Sequence, residues 1–594
     1  MKHHLRIPVC LALLGLASLT MYCPRALADP IFGDVWQMRQ PEGNLVDVRI
    51  WGDEYYQVVE SLDGYTLVRD PITEVICYAR LSADGRDLES TGVRLGTSDP
   101  MSLGLAQHVR IAPEARDAAV ALARSRAISN PSPGKKSYSA AITGNVTGLC
   151  IIVDFDDQEA TIDRSEVEDY CNLVGYTGYS NNGSVRDYFH DTSEGNLTYT
   201  NYVMTEYYRA PEDFTYYDDT SVPWLDRGLE LLFDVLDHLE SEGMDFSQFD
   251  SNGDGYIDAI NMFYAGSTSA GWSEGMWPGS GWITDQWSAD GVSTLKFQFT
   301  GMGSDLTIGT FCHENGHMLG FWPDLYDYDD VPDDSYGVGR FCLMCSKGSA
   351  TNPVEPCAYL KEIAGWGTVT TYTTQQFDIP TPTTANTIYK FPHPTLANEY
   401  WLVENRQATG RDDVITDDGL AIFHIDTNGD NSHNEMTLAR HYLVTLVQAD
   451  GNWDMENYNN IGDSTDLWAA PDYTALRPST SPNTDWWDGT PSDFHFFDIS
   501  ASGPMMTFSF APSNTPPVAV CQDVEISADE DCLAYVDPSM VDDGSYDPDG
   551  DPIILELDPP GPFDLGTNYV ILTVTDDKGE VDICDAVINV IDTT

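Results

Sequence analysis

The spacing of apolar residues changes along the chain, and each change predicts a different kind of element. From 31 to about 110, apolar and polar positions alternate over short runs such as "NLVDVRIWGDEYYQVVESLDGYTLVRD" and "VICYARLSADGRDL", which predicts short strands joined by turns. Residues 113 to 140 change to an alanine-rich helical pattern followed by a Ser/Pro/Gly/Lys stretch, a composition that suits a protease-accessible linker. "TGLCIIVDFDD" at 147 to 157 is a continuous apolar run, the mark of a buried strand that starts a new core. Between 184 and 245 the period lengthens. "SVRDYFHDTS" and "VPWLDRGLELLFDVLDHLESEG" read as helices, the second placing Leu225, Leu229, Leu232, Val235 and Leu239 at three- and four-residue steps. A third helix covers "DLTIGTFCHENGHML" and ends at Gly320. From about 370 to 512 the pattern is strand-rich, with "YWLVENRQ", "GLAIFHID", "HYLVTLVQADG" and "PMMTFSFAP". "SNTPP" at 513 to 517 is a linker, and "NYVILTVTDD" and "DAVINVID" lie beyond it at sandwich spacing. The pattern shows no internal repeat.

Length and charge narrow the classes of function. A chain of 594 residues with 42% hydrophobic content has material for several cores. Its 29 Lys+Arg against 95 Asp+Glu give a formal net charge of −66, which repels nucleic acid and anionic membranes. So acidic a surface suits calcium, high salt or simple solubility, and composition does not choose among them. The start of the chain has a basic "MKHHLR", an apolar "IPVCLALLGLASLTMYC" and a small-residue "ALA" before Asp29. That order predicts a cleaved secretory signal over 1–28. A retained anchor fits less well, because the run is short and ends in Pro24 and Arg25. Met21 and Tyr22 are the wrong residues for a lipoprotein site before Cys23. Twelve cysteines less Cys10 and Cys23 leave ten, an even number that in an exported chain favours disulfides. Their pairing stays open, and Cys342-x-x-Cys345 alone is a weak metal signal.

The chemistry centres on residues 311 to 330, "FCHENGHMLGFWPDLYDYDD". His313 and His317 stand four apart and so share one helical face, with Glu314 beside the first. Zinc accepts neutral imidazoles, and a catalytic zinc keeps three protein ligands and one open position for water. The metal lowers the pKa of that water, and an adjacent carboxylate takes its proton and hands it to a leaving amine. Gly320 three residues later predicts a left-handed helix end that returns the chain toward the metal. Met344, in "YGVGRFCLMCSKGS", is placed as the methionine turn beneath such a site would be.

With these residues in view, the chain resembles the secreted immune-inhibitor-A-like (thuringilysin-type) zinc metallopeptidases. "EYYQVVESLDGYTLVRD" is similar to the family's pro-region. "GSVRDYFHDTSEGNLT", "DSNGDGYIDAINMFYAG" and "HENGHMLGFWPDLYD" resemble its catalytic domain, and "YWLVENRQATG", "GLAIFHID", "LVQADG" and "TDWWDGTPS" its β-rich carboxy-terminal part. Residues 516 to 594 resemble a hyalin-repeat or immunoglobulin-like module. The resemblance implies a multidomain α+β chain: signal 1–28, pro-region and linker 29–140, metzincin-like catalytic domain 141–370, β-rich domain 371–512 and terminal β-sandwich 516–594. It implies a secreted, zymogenic zinc endopeptidase that hydrolyses peptide bonds of extracellular proteins, with Glu314 as general base on a zinc-bound water. The partners expected are protein or peptide substrates, without nucleic acid or membrane insertion. The rival class is an adhesion or spacer protein whose protease-like domain is inert, but Glu314 and both histidines are all present.

The third zinc ligand is where this chain departs from the metzincin form. Three residues after the glycine stands Pro323, which has no metal-binding side chain. Asp324 needs only a one-residue bulge to take that place and is favoured; Asp327 is the alternative. A second cation is expected at "DSNGDGYID". There Asp250, Asn252, Asp254, the Tyr256 carbonyl and Asp258 fall at the alternate positions of a calcium loop, with Gly255 at the sharp turn. Asn261 replaces the closing glutamate of an EF-hand, so the loop is expected to be structural and followed by a strand. "DDGSYDPDGDP" at 542 to 552 reads equally as a calcium turn or a solvated acidic one. Cys77 could silence the zinc but is expected to be a disulfide partner or buried thiol, and His424 and His441 are expected to be structural.

Overall fold

The computed structural model describes residues 31–594 apart from 53–55, 117, 121–141, 220–221, 223, 267–274, 304–305, 328–334, 431–435, 513–514, 549, 578 and 594. The expected signal at 1–28 and most of the expected linker lie outside the described residues.

The alternating amino-terminal pattern folds as an antiparallel meander of six strands: β1 (Ile31–Arg39), β2 (Leu45–Gly52), β3 (Gln57–Glu60), β4 (Thr66–Arg69), β5 (Ile76–Leu81) and β6 (Leu88–Arg94). Its apolar positions gather in one core, Met38, Val48, Ile50, Val59, Leu67 and Tyr78 among them, and that core takes in Trp277 from far along the chain.

The continuous apolar run becomes β7 (Gly144–Asp154), at the heart of a second sheet. Around it lie β8 (Leu197–Val203), β9 (Ile260–Tyr264), β10 (Gly279–Trp282) and β11 (Lys296–Gly301), in the order β10-β11-β9-β7-β8. β8, β7, β9 and β11 run parallel, and β10 closes the path antiparallel to β11. Parallel strands covered on both faces need apolar residues at consecutive positions, and Leu149 to Val153 are all fully buried. Helices α1 (Arg164–Asn172), α2 (Val185–Thr192), α3 (Trp224–Ser241) and α4 (Ile308–Gly320) accompany this sheet. α2 starts where Ser184 and Asp187 form a reciprocal capping box.

The strand-rich segment forms two sheets. β12 (Thr368–Thr371), β14 (Thr387–Pro392), β15 (Glu399–Arg406), β16 (Gly419–Asp426) and β17 (Val444–Leu446) make one, and β13 (Gln376–Pro382), β19 (Met505–Ala511) and β18 (His495–Phe497) the other. The apolar core does not part at residue 370: one cluster runs from Val146 to Leu467 and includes Ile388, Leu402 and Phe423. A buried charge network crosses the same line. Arg406 donates to Asp412 at 2.6 Å, to Glu404 at 3.2 Å and to the Phe341 carbonyl at 2.9 Å. Lys361, on α5 (Ala358–Ile363), donates to Glu355 at 2.6 Å and Glu404 at 3.1 Å.

The last segment pairs β20 (Val524–Ser527), β23 (Val581–Ile591), β22 (Gly566–Thr575) and β21 (Ile554–Asp558) in that order. One disulfide, Cys521–Cys584, ties it, with Cα atoms 5.9 Å apart. Cys532 is exposed and free, and Cys77, Cys150, Cys171, Cys312, Cys342, Cys345 and Cys357 are buried thiols. The chain as a whole is α+β, and among the described residues no helix is long and apolar enough to cross a membrane.

Candidate metal centre

Helix α4 is buried almost all round; only His317 and Gly320 have partial exposure. Its rotation is fixed from the sheet side by a polar network. The Tyr199 hydroxyl donates to Asn315 at 2.7 Å, and the Asn315 amide donates to Asn261 at 2.9 Å. Gln298 also donates to Asn261, at 2.9 Å. Each such buried bond contributes about 1 kcal/mol, and leaving one partner unpaired costs about 1–3 kcal/mol. Two strands therefore grip the residue next to Glu314, a third fixes Asn261 behind it, and together they set which way its neighbours point.

The two histidines are held from behind. Nδ1 of His313 lies 3.1 Å from the Leu343 carbonyl and Nδ1 of His317 2.7 Å from the Trp322 carbonyl. A carbonyl only accepts, so both Nδ1 atoms carry protons and both Nε2 atoms face forward. They meet the Asp324 carboxylate, whose Oδ1 is 3.0 Å from His313 Nε2 and 3.2 Å from His317 Nε2. Bonds of about 2.05 Å to a tetrahedral zinc put neighbouring ligand atoms about 3.3 Å apart. These two distances fit that edge. Among the described residues, this is the group of three His, Cys, Asp or Glu side chains whose ligand atoms converge as a metal requires.

Asp327 is placed elsewhere. It accepts the Tyr442 hydroxyl at 3.0 Å, while Leu325 and Tyr326 turn inward, as the sequence suggests. The turn that delivers Asp324 differs from expectation in one detail. Gly320 is the last helical residue, and the left-handed position belongs to Phe321, at φ 50°. The glycine is required for another reason: a Cβ there would stand 2.6 Å from the Trp322 indole nitrogen, which closes over it. Phe321 stacks on Trp282 of β10 with ring centres 5.6 Å apart, and Lys296 lies over both rings while donating to the His317 carbonyl.

Electrostatics follow the geometry. Burial alone would raise the Asp324 carboxyl, but the His317 charge and the hydrogen bonds from both imidazoles hold it far below the usual range. Burial pushes His313 down, yet the bond and charge of Asp324, with Glu314, carry it up to about 9. Burial pushes Glu314 up, against the opposing pull of His313 and His317. Lys296 is lowered by burial to about 7, opposed by Glu314 and Asp324. Glu314 is 2% exposed. Its Oε1 has no hydrogen-bond partner, while the carboxylate is reached by the Ser280 side chain from β10. A buried carboxylate oxygen left open beside the converging ligands is what a proton acceptor for an attacking water needs.

Met344 sits under this helix. It is fully buried in the short helical turn Leu343–Ser346, and a Cβ on Gly316 would meet its sulfur at 2.7 Å. Its carbonyl accepts from the Leu325 N–H at 2.7 Å, so one turn braces both His313, through Leu343, and the segment bearing Asp324.

The other sequence-derived sites lie apart. The 250–258 loop is followed by strand β9, as expected. Asp250 accepts the amides of Gly253, Asp254 and Gly255 at 2.8–3.1 Å, and Asp258 accepts the Ser251 amide at 2.7 Å and the Asn252 side chain at 3.3 Å. The Asp254 carboxylate accepts the Tyr256 amide. These carboxylates are turned to the loop's own amides and do not converge on one point as the histidine group does. Cys77 is buried in β5, near Ser90 and Arg94, and so takes no part in the metal group. His424 and His441 are structural. They flank Trp487 at ring distances of 5.0 and 4.4 Å, and their Nε2 atoms contact Glu399 and Asp426, both at 2.9 Å. In 542–552, Asp551 is paired with Arg477 at 3.2 Å, a cation already in place there.

Sequence reasoning missed Ser280, Lys296 and the Trp277 contact. Only "GSGW" (279–282) hinted at them, as glycines in a strand that another backbone approaches closely. Trp277, three residues before Ser280, is 1% exposed and packs tilted against Trp36 of β1, with ring centres 5.4 Å apart. No protein-family model matches this chain, and no curated protein matches it.

Proposed function

We propose that the chain is a secreted, zinc-dependent endopeptidase made as a zymogen. The observation that carries the reading is the convergence of His313, His317 and Asp324 beside the open Oε1 of Glu314. Zinc held there would polarise a peptide carbonyl and ease deprotonation of water. The chain's own residues do the rest. Glu314 accepts the water's proton at Oε1 and returns it to the departing amine nitrogen, with Ser280 fixing the carboxylate's orientation. β10 is the outermost described strand of its sheet, and its free edge suits a substrate added in extended form. His317, the ligand with 13% side-chain exposure, marks the side from which substrate arrives. The meander of residues 31–94 docks through Trp36 on Trp277 just ahead of β10, which supports its role as a pro-region shielding this edge.

The 250–258 loop is proposed to bind calcium once its carboxylates release their amides, and the terminal sandwich to serve as spacer or adhesion unit. Its outer face exposes Tyr569, Ile583 and Ile554 at 78, 56 and 62%. The test of activity is digestion of a casein-type substrate by processed, full-length-derived protein with chelator, without it, and after zinc is restored. Hydrolysis that chelation abolishes and zinc restores supports the reading; hydrolysis indifferent to chelator overturns it.

A further inference from the structure

Cys342 and Cys357 are fully buried, and each caps the start of a helical segment, Leu343–Ser346 and α5 respectively. The Cys357 N–H donates to the Cys342 sulfur at 3.3 Å, which sets the two cysteines side by side. Cys345, close by in sequence, points away: its thiol donates to the Tyr336 carbonyl at 3.0 Å. Two thiols in contact within a chain that already carries one disulfide are placed for a second.

We propose that Cys342 and Cys357 are joined by a disulfide in the oxidised protein, closing the loop beneath the metal-binding helix. The bond needs the sulfurs to move from contact to about 2 Å, a change within reach of side-chain rotation at two non-helical cap positions. Two S–H bonds break and one S–S bond forms. The two electrons and two protons pass to a disulfide oxidant, such as glutathione disulfide, whose own S–S bond is reduced to two thiols. Burial pushes the Cys357 thiol well up, and thiolate is the reacting form, so the bond is made before the core closes. It is therefore a permanent brace and not a switch. The enclosed loop, 15 residues in sequence separation, carries Leu343, whose carbonyl orients His313, and Met344, which supports Gly316. A bridge there limits how far the floor of the metal group can shift. The inference rests on thiol geometry alone and stands whether or not the chain is a peptidase.

The experiment folds the full-length chain in a glutathione and glutathione-disulfide buffer and denatures it without reductant. Free thiols are then capped with N-ethylmaleimide, and tryptic peptides are read by mass spectrometry. Cleavage after Arg340 and Lys347 puts Cys342 and Cys345 on one peptide. The expected species links that peptide to the one bearing Cys357, with a single maleimide on Cys345. Full labelling of Cys342 and Cys357, or a link made through Cys345, overturns the proposal.

Discussion

Replacing Asp324 or Asp327 by Asn tests the centre at the point where the sequence left two candidates. Either change keeps the side-chain shape and removes one charge, so differences between them report position. Zinc sites of four ligands carry about 10–16 kcal/mol of apparent binding energy at neutral pH, or roughly 3 kcal/mol per ligand. Asp324 Oδ1 stands 3.0 and 3.2 Å from the two imidazole nitrogens, and its side chain is 2% exposed. Loss of one such ligand should weaken zinc binding by about 10²-fold, and loss of its charge by more, since every 1.4 kcal/mol is tenfold. Asp327 instead accepts the Tyr442 hydroxyl at 3.0 Å. Its replacement should cost at most about 1.5–3 kcal/mol of stability, the value of a hydrogen bond to a charged group, and leave zinc affinity unchanged. Both variants and the wild type would be stripped with chelator and reloaded. Zinc would be counted by mass spectrometry and its affinity measured by competition with a chromophoric chelator. Wild-type affinity in Asp324→Asn, or zinc loss confined to Asp327→Asn, would refute the assignment.

Three further outcomes are expected. Glu314→Gln should keep zinc while peptide hydrolysis drops by about 10²–10⁴-fold, the usual value of a general base; near-normal turnover in a zinc-loaded variant would remove Glu314 from the mechanism. Trp36→Ala should loosen the meander from Trp277, because truncating a half-buried Trp costs part of the about 3–5 kcal/mol of a fully buried one, so conversion to an active form lacking the meander should speed up. Amino-terminal sequencing reads that form, and full activity in protein still beginning at Asp29 would end the zymogen reading. Glu456 is 6% exposed and raised by burial to about 8 from an ordinary 4.5. The folded state thus binds its proton more tightly than the unfolded one, so this group's contribution is full below about 4.5 and is lost as pH rises to about 8, at up to 1.4 kcal/mol per unit. The Tm advantage of Glu456→Gln over wild type should therefore widen between pH 5 and pH 8, and a constant gap would contradict the burial argument.

Much of this centre was legible because its chemistry is local. His313, Glu314 and His317 lie within one and a half turns of a single helix, and helical periodicity fixes their common face. Asp324 was legible as a candidate because so short a turn leaves few residues within reach. It was favoured over Asp327 by the short reach of the turn, but the Tyr442 contact that holds Asp327 elsewhere was not legible, since Tyr442 arrives 115 residues later. The left-handed residue was misplaced for a similar reason: Gly320 reads as the natural turn residue, but the space it clears is filled by Trp322, and the backbone reverses one residue further on. Ser280 and Lys296 were hidden because strand register, not local pattern, sets Trp282 opposite Lys296. The 250–258 loop shows the opposite limit, since spacing specifies where oxygens fall but not whether they point at a cation or at their own amides.

The charge network at Arg406 and Lys361 has a consequence for how this chain can be divided and inherited. Lys361 belongs by sequence to the first half, and Glu404, with 4% side-chain exposure, to the second. A gene fragment ending at 370 would carry Lys361 into a core that lacks one of its two counter-ions, and removing one partner of a buried pair costs about 3–5 kcal/mol. It would also expose the apolar surface that Leu402, Phe423 and their neighbours cover. The terminal segment is tied in the same way, because Asp551, with a fully buried side chain, pairs with Arg477 at 3.2 Å across the short Pro-containing joint. A piece that keeps the shared core around His313, His317 and Asp324 whole has to run to residue 467.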